Sequence, residues 1–318
     1  MKLNLLSALA IVTSMTASAV LAESHAVATS KWGPDDQAGA SNYMTPEKAM
    51  EAIALMQSGT VVSIGRVYEP EMPLFGTRAF ALRATSGLAG GAFGDNKVVW
   101  MDDFLATEIG QVGTQFDGLG HIGVGKDAFG ATFYNNLDAG EVFGPNGLKK
   151  LGVEHVKPIF TRGIVLDITA LRGAPMDAGD EVTVADLEAA IERQGIEGPG
   201  EGDVVLIHTG WGRHWITDNA TFNSGAPGIG LDAARWLAER NIAVVGSDTW
   251  PVEVVPNPDP NAVFQAHQIL LTHNGIFIHE NLATEVLVEA GVSEFAYIFT
   301  PLAVKGATGS PGAPLAVY

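Results

Sequence analysis

Cysteine is missing from all 318 residues of the sequence. Its absence excludes disulfide bonds, thiolate metal sites, iron–sulfur clusters and cysteine nucleophiles. Two catalytic or binding motifs are missing as well. Glycine-rich pieces such as Gly87–Gly91 lack the Lys-Ser/Thr that ends a phosphate-binding P-loop. No Gly-x-Ser-x-Gly elbow occurs, so a serine hydrolase of the α/β type is disfavoured.

Positive charge is scarce. The chain has 18 Lys and Arg against 36 Asp and Glu, which gives a formal net charge of -18. A chain this acidic repels phosphate backbones and anionic lipid headgroups, so we expect neither nucleic acid nor a membrane surface as a partner. Hydrophobic residues make up 47% and charged residues 17%, which is typical of a folded globular protein.

Long apolar runs are confined to the N-terminus, where residues 1–22 have the pattern of a signal peptide. Lys2 supplies the positive charge, an apolar stretch follows, and a Val-Leu-Ala sequence ends at Ala22. Ser and Thr interrupt the stretch, which disfavours a permanent transmembrane anchor. We predict cleavage after Ala22, a periplasmic or secreted location, and one mature domain over residues 23–318.

The mature chain mixes helix and strand patterns without a strict βαβ rhythm. Thr45 and Thr183 are expected to cap two helices, and Gly59 and Gly195 are expected to end them. Further helices are predicted over Leu231–Arg240 and Asn281–Ala290. Strands are predicted over Thr60–Val67, Asn96–Trp100, Ile164–Ile168, Val204–His208, Ile242–Gly246, Ile276–Glu280 and Phe295–Phe299. One α/β domain with long loops is the simplest interpretation.

The stretch 68–95 is rich in Gly, Ala and Pro and is expected to form a long irregular excursion. Excursions of that length in compact domains are often binding loops. The sequence leaves open whether this one is a lid or a contact with a partner subunit.

The most informative stretch is residues 107–123. If this stretch is extended, its side chains alternate between two faces. One face then carries Gln111, Gly113, Gln115, Asp117 and His121, and the other carries Val112, Thr114 and Phe116. Polar residues this dense cost free energy unless a partner satisfies them, and a divalent metal would do so. The alternative, a polar strand edge with an incidental histidine, stays open from the residues alone.

This stretch resembles the signature of the metal-dependent cyclase family, which includes bacterial kynurenine formamidases and isatin hydrolases. The family motif runs His-x-Gly-Thr-His-x-Asp-x-Pro-x-His. The same register here reads Gln111-x-Gly-Thr-Gln115-x-Asp117-x-Leu119-x-His121. Two histidines are replaced by glutamine and the proline by leucine.

Further blocks extend the resemblance over most of the mature chain. They are Trp32–Asn42, Gly202–Trp211, His267–Leu271 and Gly275–Leu282, in the order that the family has them. The resemblance implies a compact α/β domain with a barrel-like mixed β-sheet flanked by helices. It also implies a small-molecule substrate and a homo-oligomer.

The resemblance assigns five residues to a metal site. Asp117 matches a metal ligand, and Glu280 and His267 match the remaining ligand positions. Gln115 stands where formamidases have a ligand histidine and can bind through its carbonyl oxygen, whereas Gln111 is a weaker candidate. The loss of two histidines implies one divalent ion, Mn²⁺ or Zn²⁺, and the added oxygen donors shift the preference away from zinc.

His121 matches the catalytic histidine of the family, and its alternative role is that of a buried core histidine. Asp248 follows a predicted strand at a position where α/β sheets often contact ligands. Trp250 is a candidate wall of the substrate pocket, although tryptophans are more often part of the core. Asp248 and Trp250 are therefore the candidate substrate-binding residues.

The expected function is hydrolysis of a C–N amide bond by metal-activated water, with His121 as general acid and base. An aryl formamide such as N-formylkynurenine or a cyclic amide is the substrate that the resemblance implies. Lactone hydrolysis and a lyase reaction on the same site are alternatives. A further alternative is a periplasmic protein that binds a metal or small molecule without turnover.

Overall fold

The structure is a computed structural model, and it describes residues 26–86, 92–261 and 263–318. The predicted signal peptide over residues 1–22 lies outside the described residues, as does the piece Gly87–Gly91. Within the described ranges, no helix has both the length and the apolar character needed to cross a membrane.

The helices are short. The α-helices are α1 (Pro46–Ala54), α2 (Ala139–Val142), α3 (Ile168–Arg172), α4 (Val184–Gln194), α5 (Asn219–Ser224), α6 (Leu231–Glu239), α7 (Gln265–His267) and α8 (Glu285–Glu289). A π-helical turn, Gln268–His273, continues directly from α7. Single 3₁₀ turns cover Gly39–Tyr43, Tyr134–Asn136, Val153–His155 and Trp211–His214.

Several of the β-strands are only two residues long. They are β1 (Val61–Ser63), β2 (Phe80–Ser86), β3 (Met101–Thr107), β4 (Gln115–Asp117), β5 (Thr132–Phe133), β6 (Leu137–Asp138), β7 (Phe143–Gly144), β8 (Gly147–Leu148), β9 (Ile159–Asp167), β10 (Glu181–Val182), β11 (Val204–His208), β12 (Gly228–Ile229), β13 (Val244–Ser247), β14 (Phe277–Glu280), β15 (Glu294–Phe299), β16 (Gly309–Pro311) and β17 (Leu315–Val317).

A nine-stranded mixed sheet forms the centre of the fold, in the order β1-β17-β15-β9-β11-β13-β14-β4-β16. Its four central strands, β9, β11, β13 and β14, are parallel. The outer strands β15 and β4 run antiparallel to their inner neighbours. The sheet curls into a half-barrel flanked by helices, which confirms the predicted fold class.

Apolar β-branched sequence explains the parallel centre. All five residues of β11 are buried, and so are all four of β13, as expected for strands that are covered on both faces. Helices supply the cover: α1 packs on β9 and β15, and α4 packs on β9. In α6 the small residues Ala233 and Ala234 and the larger Leu237 face the core.

Local signals predict some elements well. Thr45 caps α1 through Lys48, and Thr183 forms a capping box that begins α4. Gly195 ends α4 in the left-handed conformation, as predicted. The helix α1 ends at Ala54, several residues before the predicted stop at Gly59.

Other expectations are wrong where tertiary contacts override local pattern. Asn96–Trp100 is not a strand; the strand begins at Met101 and pairs with β2, so part of the predicted irregular excursion is a regular hairpin. The helix expected over Asn281–Ala290 is limited to α8. Asn281 has a positive φ of 57°, and the next residue bridges to Gly65, so the chain does not turn into a helix there.

The stretch from Gln111 to His121 is not extended throughout. Only β4 is a strand, Gly113 has a φ of 62°, and a turn joins Gly118 O to the backbone N–H of His121 at 3.0 Å. The prediction of one shared face therefore applies to Gln115 and Asp117, while Gln111 and His121 approach the same place through turns.

Candidate metal centre

Two paired strands present three of the predicted ligands. In the antiparallel pairing of β4 with β14, Gln115 lies opposite Glu280, and Asp117 lies opposite Ile278. Because side chains of one parity share a sheet face, Gln115, Asp117 and Glu280 point the same way. All three are buried. The side-chain amide of Gln115 donates to Glu280 Oε2.

His267 joins this group from α7. Its Nδ1 donates to the buried carboxylate of Glu253, which also accepts the backbone N–H of His267 at 3.0 Å. This contact fixes the ring so that Nε2 faces the strands. Nε2 lies 3.2 Å from Glu280 Oε1 and 3.8 Å from Asp117 Oδ2. A carboxylate on the far nitrogen of a histidine is the usual support of a metal-ligating imidazole.

The donor atoms of Asp117, His267 and Glu280 all lie within 4.8 Å of one another. Asp117 Oδ2 is buried and has no hydrogen-bond partner, although an orphaned buried carboxylate oxygen is costly. Two carboxylates and one imidazole form a donor set that suits a divalent first-row metal. The residues present therefore fit one divalent cation.

Both ends of the Gln111 side-chain amide have protein partners. Its Nε2 donates to Asp117 Oδ1 at 2.9 Å, and its Oε1 accepts from Arg78 at 2.9 Å. The guanidinium thus orients the amide, and the amide holds one carboxylate oxygen so that Asp117 Oδ2 is left for the centre. The contacts favour an orienting role, and direct ligation by Gln111 stays a prediction.

His121 lies at the edge of the same group. Its Nε2 is 3.9 Å from Asp117 Oδ2, and its side chain is partly open to the cavity. Burial lowers the pKa of His121 below its ordinary value; Asp117 opposes this shift, while His267 and Arg78 add to it. A neutral imidazole near pH 7 can accept a proton.

The electrostatics of the cluster indicate a shortage of positive charge. Burial and the neighbouring Asp117 raise the pKa of Glu280 to about 8. Burial alone would lower the pKa of His267, but hydrogen bonds to Glu253 and Glu280 outweigh it and raise that pKa to about 10. Both shifts hold protons among crowded carboxylates, which is the role that a cation would also fill.

A cavity of about 220 Å³ opens onto these groups. Its apolar walls are Phe75, Ile122, Trp250, Pro251 and Phe264. The rings of Phe75 and Trp250 stack with their centroids 4.6 Å apart. Trp250 therefore forms part of the cavity wall, and its contact with a substrate stays a prediction.

Asp248 does not line this cavity. Its Oδ1 accepts from the backbone N–H and hydroxyl of Thr209 at 3.0 and 2.7 Å, and its Oδ2 accepts from Gly212 N–H at 3.1 Å. These bonds hold the turn after β11. They give Asp248 a structural role at this turn, and its contact with a substrate stays a prediction.

Sequence reasoning missed Glu253, Arg78 and Phe75. An acidic residue between Val252 and Val254 is a signal of a buried, paired carboxylate, because charged residues are seldom buried alone. Arg78 and Phe75 lie in the stretch 68–95, where the pattern gave no reason to single them out.

The comparisons with known proteins agree with this architecture. Residues 21–254 match the model of the cyclase family, described as "Putative cyclase", which is more than half of the chain. The chain belongs to the cyclase family. No protein among the curated ones matches the chain.

Solved structures extend the comparison. The structure described as a novel cyclase is 31% identical in sequence and has a TM-score of 0.80. The match covers 91% of this chain and 96% of that protein's chain. Isatin hydrolase A from Labrenzia aggregata, bound to benzyl benzoate, is 23% identical over 83% of this chain and 96% of its own (TM-score 0.61). Isatin hydrolase A from Ralstonia solanacearum is 22% identical over 86% of this chain and 97% of its own chain (TM-score 0.61). The two isatin hydrolases share the fold with this chain.

Proposed function

We propose that this protein is a metal-dependent hydrolase that cleaves a C–N amide bond in a small molecule. The observation that carries the proposal is the buried, unpartnered Asp117 Oδ2, which faces His267 Nε2 and His121 Nε2 from one side of an aromatic-walled cavity. Isatin hydrolases share the fold, which supports a cyclic amide as the substrate. The resemblance of the motif to that of kynurenine formamidases adds an aryl formamide such as N-formylkynurenine as a second candidate.

One divalent ion, Mn²⁺ or Zn²⁺, is the proposed cofactor. Asp117, His267 and Glu280 would hold it, with the carbonyl oxygen of Gln115 as a further donor. A divalent ion bound there supplies Lewis acidity that activates water and polarises a carbonyl. Glu253 keeps Nε2 of His267 available, and Gln111 does the same for Asp117 Oδ2.

His121 is the proposed general base and acid. Its imidazole is neutral near pH 7 because burial lowers its pKa, so it can take a proton from the attacking water. The imidazolium can then pass that proton to the leaving nitrogen. The partly open position of His121 beside Asp117 gives it access to both water and substrate.

The test is turnover by the mature chain after chelation and reloading with Mn²⁺ or Zn²⁺. N-formylkynurenine, isatin and a simple lactone form the substrate panel. We expect metal to restore hydrolysis of at least one amide. Turnover that survives chelation, or hydrolysis of the lactone alone, would contradict the proposal.

Two variants separate the roles of the residues. His121→Ala should lower kcat about 10²- to 10⁴-fold while the protein keeps its bound metal. Asp117→Asn should lose the metal itself, and His155→Ala, an exposed histidine, serves as the matched control. A chain that binds metal yet turns over no amide would instead be a binding protein. Product without oxygen from labelled water would indicate a lyase.

The proposed location is the periplasm or the outside of the cell, which rests on the signal-peptide pattern of residues 1–22. Mass spectrometry of the exported protein should give a mature chain that begins at Glu23. A chain that retains Met1 and stays in the cytoplasm would contradict this location.

A further inference from the structure

Arg78 is the one Lys or Arg among the described residues that line the site cavity. Its guanidinium donates a hydrogen bond to Gln111 Oε1 and lies 5.6 Å from the centre of the Phe75 ring. A guanidinium carries five N–H donors, so one hydrogen bond leaves most of them available. Arg78 is half-buried and lines the cavity, so its remaining donors are available to a ligand there.

Arg78 forms no ion pair with a carboxylate among the described residues. Other half-buried arginines do form such pairs. Arg66 pairs with Glu285, and Arg162 pairs with Asp203. Acidic residues outnumber Lys and Arg by 36 to 18 in the sequence, so an arginine that lines a cavity and forms no direct ion pair there is unexpected. Asp117 and Glu280 would bind the dication of the proposed function, and Glu253 is bonded to His267, so none of these carboxylates forms an ion pair with Arg78.

The backbone around Arg78 is anchored on both sides. The backbone N–H of Ala79 donates to Glu108 Oε2 at 2.6 Å, and the side-chain amide of Asn223 donates to Leu74 O at 3.2 Å. A guanidinium whose segment is held in place loses less entropy when it binds a ligand. Planar, bidentate contact with a carboxylate is the interaction that arginine makes best.

We propose that Arg78 binds a carboxylate on the substrate and thereby determines specificity. The substrate class is then a small, planar acyl compound that carries a carboxylate. The cavity of about 220 Å³ suits a molecule of about one ring, and the stacked rings of Phe75 and Trp250 suit a planar one. The proposal rests on the proposed hydrolase function for the bond that is cleaved.

The kinetic test compares N-formylanthranilate, which carries a carboxylate, with formanilide, which does not. Arg78 also orients Gln111, so Arg78→Met is expected to slow both substrates to some extent. The carboxylate contact predicts an additional loss for N-formylanthranilate, of the order of 10- to 100-fold in kcat/KM and mainly through KM. Arg78→Lys should recover part of that loss, and Arg83→Met, on the exposed face of β2, should change neither substrate.

A binding test does not depend on turnover. Quenching of tryptophan fluorescence, or calorimetry, would give the Kd of anthranilate and of neutral anthranilamide for the full mature chain, with and without Mn²⁺. We expect Arg78→Met to raise the Kd of anthranilate about 10-fold or more and to leave anthranilamide nearly unchanged.

The two proposals fail in different ways. Equal losses for the charged and neutral compounds in Arg78→Met would overturn the role of Arg78 and leave the hydrolase proposal standing. Absence of turnover on every amide would overturn the hydrolase proposal. A selective loss of anthranilate binding in Arg78→Met would still support carboxylate binding by Arg78. Failure of the wild-type chain to bind anthranilate would overturn the proposal that Arg78 binds a substrate carboxylate.

Discussion

At the scale of single residues, the arrangement around His267 depends on a carboxylate outside the predicted motif. Glu253 is 2% exposed and accepts both the ring Nδ1–H and the backbone N–H of His267. Partners of this kind fix the ring orientation and raise the basicity of a ligand histidine.

Glu253→Gln should therefore weaken metal binding roughly 10- to 100-fold without removing a ligand. The measurement is a competition titration against a chelator that reports free metal. Glu192→Gln, on the exposed surface of α4, is the matched control. Unchanged metal affinity in Glu253→Gln would show that the imidazole is held by other contacts.

The buried ring of His279, which does not line the cavity, should make the stability of the fold depend on pH. Its ring packs against Phe299 and Phe116, Nδ1 contacts Tyr297 at 2.6 Å, and burial lowers its pKa from 6.5 to about 3. Between these pH values the unfolded chain binds a proton that the folded chain does not. The free energy of unfolding must therefore fall as the pH drops from 6.5 towards 3.

His279→Asn should flatten that dependence by about 1.4 kcal/mol per pH unit, the value for one proton. Urea unfolding at a series of pH values between 6.5 and 4 measures the slope, and His155→Asn should leave it unchanged. Equal slopes in wild type and His279→Asn would mean that the ring can be protonated inside the folded protein.

At the scale of elements, the sequence predicts those whose signals are local. The buried strand β11 has the predicted bounds, and α4 begins and ends at its capping residues. The hairpin of β2 and β3 was not predicted, because its register depends on pairing across a long connection. The same limit applies to the site: the motif indicates Asp117, whereas Glu253 and Arg78 reach the cavity through loops that only tertiary packing positions.

The turn before β4 depends on a glycine, Gly113, whose conformation and surroundings leave no room for a side chain. Gly113 has a φ of 62°, and a Cβ there would lie 2.5 Å from the ring of Tyr68. Gly173 has a similar φ of 77° but open space around it, so it isolates the cost of the backbone conformation. Gly113→Ala should lower the free energy of unfolding by about 1–3 kcal/mol more than Gly173→Ala does.

Urea unfolding of both variants measures this difference. Gly113→Ala should also weaken metal binding, since Gly113 O accepts from Asn281 and Gly113 leads directly into β4. Equal destabilisation by the two alanines would show that Tyr68 moves aside at no cost.

At the scale of the whole molecule, the hairpin of β2 and β3 exposes apolar side chains. Leu82 and Leu105 are paired across it and are 52% and 54% exposed. They line an apolar cleft of about 650 Å³ with Leu302. A two-stranded hairpin is marginally stable alone, and exposed apolar patches often mark interfaces. We propose that the protein is a homo-oligomer and that this hairpin takes part in the subunit contact.

The double substitution Leu82→Ser with Leu105→Ser should shift the oligomer towards monomer in multi-angle light scattering. Met50→Ser with Ile53→Ser removes exposed apolar side chains from α1 and should leave the mass unchanged. A wild-type chain that is monomeric at micromolar concentration would refute the oligomer proposal, and an unchanged mass in the hairpin variant would refute the role of the hairpin.

The separation of the candidate ligands along the chain has a consequence for folding. Gln115 and Glu280 are in contact although they are 165 positions apart in the sequence, and His267 reaches them from a helix. An ion held between these segments would close one large loop of backbone, and tying distant segments together restricts the unfolded chain most when the loop is long. In a protein with no cysteine, the proposed ion would act as a removable cross-link whose contribution to stability depends on the concentration of free metal around the protein.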